Sequence, residues 1–351
     1  SVWPSELLRI VSLLLAVSFL CHALSEGARH LPAFSGAFHI PHGIDDRKLW
    51  DRLLGRFRTS PAMEGPPMAH LWTQFGASAH WSLVLVRACL WTTVFLGGGF
   101  AIFTLAGASA LPARGPDAFA VDRMLAAALF TLFPVLLFCV NDLIRLCGRL
   151  FAEIAEPREG GDWPDETLAA HAETLGMPPL RAPDAPLDPK SPTLTPALRA
   201  AVLDPWVDVQ FVARLSAFVG PLILLPFILL ALLLVARWSL IDHWDLSLSL
   251  GSVLAAGFVI ACGNAWLMQR AAARARRSAL DRLDALLLAS KGGAATAYPV
   301  PAHLQAIIEA VRGLRRGAFV PFVEQPIVRA ILLPFSSAGG MYLIDLFALA
   351  M

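Results

Sequence analysis

Polar residues that interrupt long apolar runs are the part of this sequence most able to do chemistry. Asn141, Asp142 and Arg145 follow one uncharged run, and Asn264 lies within another. Charged and amide groups at membrane depth are costly, so they need partners and often mark the paths of ions or solutes. Asp142 and Arg145 are three residues apart, a spacing at which we expect them to pair on one helix face. The four residues form a candidate polar intramembrane cluster.

This cluster has two interpretations. In one, it lines an inner vestibule for ions or anionic solutes, with Arg87 and Arg214 at the inner starts of neighbouring spans. In the other, which we favour, the arginines are ordinary anchors at the inner leaflet, and Arg145 neutralises Asp142. The first interpretation predicts a channel or transporter, whereas the second leaves the cluster with a structural role.

The histidine and cysteine positions argue against a cofactor or a metal. Haem ligands lie well inside facing membrane helices, whereas only His22 of the nine histidines lies in an apolar run, and it is near the end of that run. No carboxylate or cysteine follows His30, His39 or His42 at the spacing of a known metal motif. The cysteines form no C-x-x-C pair, and they lie in or beside apolar runs at positions 21, 89, 139, 147 and 262. We therefore expect neither a cofactor nor a metal site.

Catalytic sequence patterns are also missing. The chain contains no G-x-S-x-G, H-E-x-x-H, Walker A or G-x-G-x-x-G pattern. The formal net charge of +1 gives no overall field that would attract nucleic acid. We expect no catalytic residues, no enzymatic activity and no nucleic-acid partner.

The elements that must position the polar cluster are membrane helices. The 351 residues are 56% hydrophobic and 16% charged, with a mean hydropathy of +0.61, whereas soluble domains carry about 25% charged residues. A membrane helix needs about 20 apolar residues. Uncharged or nearly uncharged runs of that order occur at 10–24, 88–111, 124–140, 215–236 and 246–269.

The predicted fold is an all-α, polytopic integral membrane helix bundle with five transmembrane helices. The first run could also be the core of a signal peptide, although no small-residue cleavage motif follows it. The last run contains Pro334, Gly339 and Gly340, followed by Asp345, so it is either a sixth, broken span or a re-entrant or peripheral segment. Gly220, Pro221 and Pro226 are expected to interrupt the fourth span, and Pro134 the third, as happens at some transporter sites.

The predicted organisation follows from these runs and the segments between them. It comprises a first transmembrane helix (1–25), a cytoplasmic loop with an amphipathic helix (26–80), transmembrane helices two and three (81–147), an acidic Pro-rich cytoplasmic linker (148–210), transmembrane helices four and five (211–270), a cytoplasmic helical hairpin (271–327) and a hydrophobic C-terminal segment (328–351).

Arginines fix the predicted orientation. Five of them follow the fifth run within 13 residues, at 270, 274, 276, 277 and 282. Basic residues beside a span mark its cytoplasmic end. We therefore expect a bacterial inner-membrane protein whose residues 271–327 are cytoplasmic and whose N-terminus is outside.

Three segments outside the runs have their own predictions. Residues 45–57 place leucines opposite charged residues, which predicts a helix lying either on the inner leaflet or against the bundle. Residues 151–210 hold ten prolines and eleven acids against four bases, which is typical of an extended linker with short helices at 165–175 and 195–203. Residues 302–316 predict a helix whose apolar stripe is Leu304, Ile307, Ile308, Val311 and Leu314.

A stripe of small residues in the fifth run completes the candidate sites. Gly257, Ala261 and Ala265 are spaced by four residues, which favours close helix–helix packing within the chain or between chains. The lipid bilayer and other membrane subunits, or a second copy, are the expected partners. The sequence thus favours a non-catalytic structural or accessory subunit, with a channel or transporter as the alternative.

Overall fold

The computed structural model describes residues 3–40, 49–54, 67–106, 116–156, 163–175, 196–236, 248–291 and 300–320. All regular structure in these ranges is helical. The α-helices are α1 (Trp3–Ala37), α2 (Leu49–Leu54), α3 (Pro67–Ser78), α4 (Trp81–Ala106), α5 (Pro116–Ala155), α6 (Asp165–Thr174), α7 (Pro196–Val219), α8 (Leu224–Ala236), α9 (Leu248–Lys291) and α10 (Val300–Gly313). Short 3-10 turns occur at Gly220–Ile223 and Gly317–Phe319. The predicted C-terminal segment, 328–351, lies outside the described residues.

Three stretches of these helices are long and apolar enough to cross a membrane. They are Trp81–Ala101 in α4, Thr131–Ala155 in α5 and Ala200–Leu230 across α7 and α8. They support the membrane class that the composition predicts. The predicted first span coincides with a shorter apolar stretch, Ile10–Ala23, within α1. The predicted fifth span falls in the first half of α9, which is not among these three stretches. The full count of five spans therefore stays a prediction.

Helix α5 lies at the centre of the bundle. It contacts α1, α4, α7, α8 and α9. The most apolar window of α5 is 72% buried, whereas the corresponding window of α4 is 28% buried. An apolar helix that is covered on most sides belongs in the interior of a bundle. The helix continues through Pro134, so that proline does not divide it.

The fourth predicted span changes helix type at one of its two predicted interruptions, whereas the other, Pro226, lies inside α8. A 3-10 turn at Gly220–Ile223 separates α7 from α8. Pro221 has no backbone N–H and cannot continue the hydrogen-bond pattern of an α-helix. The turn is packed against α5 and α7, so the break is part of the bundle.

Helix α9 is a continuous rod of 44 residues, about 66 Å long at 1.5 Å per residue. Its second half packs on the bundle through small side chains, with Ala271, Ala272, Ala275 and Ala279 all buried. At the contact with α5, a Cβ added to Gly148 would lie 3.5 Å from Met268 Cα. Small residues let two helix backbones approach closely. This small-residue contact was missed by the sequence analysis.

Helix α10 docks on its own chain. Leu304, Ile307, Ile308 and Val311 are buried, and the helix contacts α7 and α9. Four of the five residues of the predicted apolar stripe form a buried face, and the fifth, Leu314, is half-buried beyond the end of the helix. The helix ends at Gly313, three residues before the predicted end.

The predicted acidic linker contains regular structure where it is described. Residues 148–155 belong to α5, 165–174 form α6 and 196–210 belong to α7. Trp163, Leu168 and Ala172 are buried in the same core as Phe38. The segment obtains apolar burial from neighbouring helices, which its own composition could not reveal. Residues 157–162 and 176–195 lie outside the described residues.

Candidate functional site

The main polar feature of the bundle is a buried ion pair between Arg87 of α4 and Asp142 of α5. Arg87 Nε lies 2.8 Å and Nη2 lies 2.7 Å from Asp142 Oδ2. Both side chains are 9% exposed. A charge removed from water needs a close partner of opposite sign. Arg87 and Asp142 are such partners for each other.

The guanidinium of Arg87 also binds backbone carbonyls. Nη1 donates to the carbonyl of Arg52 at 2.9 Å, and Nη2 donates to that of Ser78 at 2.5 Å. An arginine has five N–H donors in a planar fork. Arg87 thereby connects α2, the end of α3, α4 and α5 through one side chain.

This pairing corrects the predicted partner of Asp142. Arg145 is exposed one turn further along α5, and within the described residues no carboxylate lies at ion-pair distance from it. Asp142 instead faces the neighbouring helix, where Arg87 approaches it. The neutralisation of Asp142 was predicted, but the residue that provides it was not, because Arg87 lies 55 positions away.

Arginines also hold the short helix α2 against the bundle. The last carbonyls of a helix lack partners within it. Arg87 takes the carbonyl of Arg52, and Arg149 Nη1 donates to the carbonyl of Leu54. Leu49 and Leu54 remain exposed. The predicted amphipathic helix at 45–57 is therefore attached through its backbone where it is described, and it leaves leucines uncovered.

Beside the ion pair, a cleft of about 440 Å³ opens between α4, α5 and α9. Most of its wall is aromatic or aliphatic, and its polar groups come from α5. It is lined by Trp91, Val94, Phe95, Phe138, Asn141, Asp142, Arg145 and Ile260. Three of the four residues of the predicted polar cluster thus meet at one cleft.

Asn141 is the least satisfied polar group of this cleft. The residue is 3% exposed, and among the described residues neither its amide nitrogen nor its amide oxygen has a hydrogen-bond partner. Most buried polar side chains in proteins are hydrogen-bonded, so an exception needs an explanation. The side chain of Asn264, the fourth predicted residue, lies outside the described part of the structure, although its backbone belongs to α9. Gly257, Ala261 and Ala265 are likewise described only through their backbone, which belongs to α9.

A second polar network ties the arginine-rich half of α9 to α7. Asp208 accepts a hydrogen bond from Trp163 Nε1 at 2.9 Å and another from Arg282 Nη2 at 2.7 Å. The Asp208 side chain is buried. The three residues come from distant parts of the chain, and no sequence motif links them.

An aromatic cluster lies beside this network. Its ring centroids are 5.0–5.5 Å apart in several tilted, stacked and edge-on pairs. Aromatic pairs at such distances add to the stability that burial alone provides. The members are Phe34, Phe38, Trp72, Trp163 and Phe211. They join α1, α3, the segment before α6, and α7 into one core.

His171 of α6 packs against this cluster. Its ring lies 5.6 Å from that of Phe38, and Nδ1 lies 2.9 Å from the Thr167 carbonyl. Burial lowers the pKa of His171 because the imidazolium loses its hydration, and electrostatic interactions with Arg214 and His39 lower it further. The hydrogen bond to Thr167 opposes this shift.

Acidification is expected to destabilise the protein through His171. Since its pKa is lower in the folded protein than the usual 6.5, the unfolded chain binds the proton more readily, and stability is lost as pH falls below that value. We expect the melting temperature of the wild type to fall more between about pH 7.5 and about pH 5.5 than that of His171→Phe, which cannot titrate. Thermal unfolding in detergent measures this.

The matched control is His80→Gln, which removes an exposed histidine. It should keep the pH dependence of the wild type. An unchanged pH dependence in His171→Phe would show that His171 does not contribute.

The remaining prediction on ligands concerns metal binding. His39 Nδ1 lies 3.8 Å from Glu166 on the surface, and His42 lies outside the described residues. Within the described ranges, no three His, Cys, Asp or Glu side chains come close enough to hold a metal ion.

Comparison of the chain with protein-family models, with curated proteins and with solved structures found no match to any of them.

Proposed function

We propose that this chain is a non-catalytic, multi-pass membrane protein that acts as a structural or accessory subunit and packs against other membrane components. One observation carries the proposal. Helix α4 is long enough to span a membrane, yet only 28% of its apolar window is buried within the chain. Its uncovered face carries Val86, Leu90 and Val94. Large apolar surfaces of this kind mark contacts with lipid or with another protein.

The internal pairing of charges supports a binding role over catalysis. Asp142 is held by Arg87, and Asp208 is held by Arg282. Each carboxylate is thus engaged by an arginine of the same chain, which leaves less of it available to contact a substrate. The exposed face of α4 is apolar, which suits a contact with another membrane helix.

The proposed topology has five spans in a bacterial inner membrane, with the N-terminus outside and residues 271–327 in the cytoplasm. The arginines after the fifth apolar run support it, and Arg270, Arg274 and Arg277 are exposed on α9. Protease added to inside-out vesicles should cut this region. Cleavage only in intact spheroplasts would reverse the orientation.

Site-specific photo-cross-linking tests the partner contact. A photo-reactive residue at Leu90, which is 65% exposed, should capture a defined membrane protein in native membranes. The same probe at Ala88, which is fully buried, should capture none and serves as the matched control. Capture of lipid alone at position 90, together with purification as a lone monomer, would overturn the accessory role.

A channel or transporter is the second candidate. The 3-10 turn at Gly220–Ile223 favours it, since broken helices often form transport sites. The closed Arg87–Asp142 pair removes one charge that such a path could have used. Solute flux in proteoliposomes that is abolished by Arg145→Gln would support transport over the accessory role. Flux equal to that of empty liposomes would exclude transport of the solutes tested.

A further inference from the structure

We infer that the cleft between α4, α5 and α9 binds an anionic phospholipid of the surrounding bilayer. The acyl chain lies against the aromatic wall, and the phosphate binds at Arg145 and Asn141. This inference goes beyond the accessory role and does not depend on it, because a lipid can be bound whether or not another subunit packs nearby.

The wall of the cleft suits an acyl chain. Trp91 and Phe95 of α4 both pack on Phe138 of α5, with ring centroids 6.5 Å and 5.7 Å apart. These residues lie within candidate membrane spans, so the neighbouring medium is lipid. The volume of about 440 Å³ falls within the range of ligand pockets, about 300–1,000 Å³.

The polar end of the cleft has unused hydrogen-bonding capacity. Asn141 is 3% exposed and lines the cleft, yet its amide nitrogen and oxygen have no partner in the described part of the chain. The amide nitrogen can donate to a phosphate or ester oxygen, and the amide oxygen can accept from a glycerol hydroxyl. A bound head group would therefore satisfy a side chain that the protein itself leaves unsatisfied.

The charge at this end is positive. Asp142 and Arg87 neutralise each other, which leaves the exposed Arg145 as the net charge among the residues that line the cleft. A guanidinium binds phosphate through paired hydrogen bonds. On α5 the order from Phe138 to Asn141 to Arg145 runs from apolar to charged, which matches the order of an amphiphile from chain to head group.

Native mass spectrometry of the full-length protein in detergent tests the inference. The probes are phosphatidylglycerol, which is anionic, and phosphatidylcholine with the same chains. We expect the wild type to retain phosphatidylglycerol preferentially. Arg145→Gln should weaken that binding about tenfold, which corresponds to about 1.4 kcal/mol, because the charged hydrogen bonds to the phosphate are lost. Asn141→Leu should weaken it as well.

Two controls make the result specific. Arg274→Gln removes an exposed arginine of α9 outside the residues that line the cleft, and it should bind lipid as the wild type does. Gel filtration and circular dichroism confirm that each variant is folded. Because Arg145 is exposed, its replacement should leave the fold intact.

Three outcomes would contradict the inference. Equal retention of the two lipids, or wild-type binding by both Arg145→Gln and Asn141→Leu, would overturn the inference. Displacement of the lipid by inorganic phosphate at millimolar concentration would also overturn it, because the site would then recognise a free anion.

Discussion

Replacing Asp142 by leucine is expected to lower the free energy of unfolding by about 3–5 kcal/mol, the usual loss when one partner of a buried ion pair is removed. The guanidinium of Arg87 would stay 9% exposed with no negative charge beside it. Arg87→Leu should cost at least as much, since it also removes the hydrogen bonds to the carbonyls of Arg52 and Ser78. Unfolding in detergent, followed by circular dichroism, measures both.

The double variant separates pairing from packing. Arg87→Leu/Asp142→Leu leaves no buried charge, so its loss should be smaller than the sum of the single losses by about 1–3 kcal/mol. Arg145→Gln is the control, because Arg145 is exposed, and it should change stability by less than about 0.5 kcal/mol. Strictly additive losses would mean that Arg87 and Asp142 do not act as a pair.

Replacing Gly317 by valine is expected to detach the segment after α10 from the bundle. Gly317 has φ = +59°, a conformation that costs other residues about 1–3 kcal/mol. A Cβ at this position would overlap Ala213 O and Ser216 Oγ, and it would lie 2.7 Å from Ala217 N. Overlap in a packed site adds about 1–3 kcal/mol. The combined loss should be about 2–6 kcal/mol.

Limited proteolysis reports this detachment directly. Arg315 and Arg316 are exposed just before the 3-10 turn, so trypsin should cut there faster in Gly317→Val than in the wild type. Gly313→Ala is the matched control, because nothing lies within 4 Å of the added Cβ, and it should cleave at the wild-type rate. Equal cleavage of Gly317→Val and the wild type would show that the turn is not docked.

Ser216 explains how the same turn is attached. Its hydroxyl accepts a hydrogen bond from the Ala318 backbone N–H at 2.8 Å and donates to the Val212 carbonyl at 2.7 Å. The Arg276 guanidinium lies 5.3 Å from the centroid of the Phe319 ring. Helices α7 and α9 therefore both hold the turn, and Gly317 allows the approach.

Features that depend on local pattern were predictable from the sequence. The stripe on α10 is confirmed because helical spacing alone determines which residues share a face. The interruption at Gly220 and Pro221 is confirmed, whereas α5 and α8 continue through Pro134 and Pro226, so a proline alone does not determine where a helix changes. The membrane class followed from composition, whereas the number of spans stays a prediction.

Features that depend on distant pairs were not predictable. Asp142 forms an ion pair with Arg87, which lies on another helix, and not with Arg145, its nearest arginine in sequence. Trp163 lies in a segment whose composition indicates a linker, and its burial depends on Phe38, Phe211 and Asp208. Only the arrangement of several helices brings such residues together, and the spacing of residues along the sequence does not reveal that arrangement.

The Arg87–Asp142 pair also bears on how the chain enters the bilayer during synthesis. Helix α4 is made first, and alone it would carry an unpaired guanidinium, which costs about 2.5–3.5 kcal/mol at the centre of a membrane helix and less near its end. Once α5 is present, Asp142 cancels that charge. Insertion of α4 and α5 together, as a neutral hairpin, is therefore the energetically easier route.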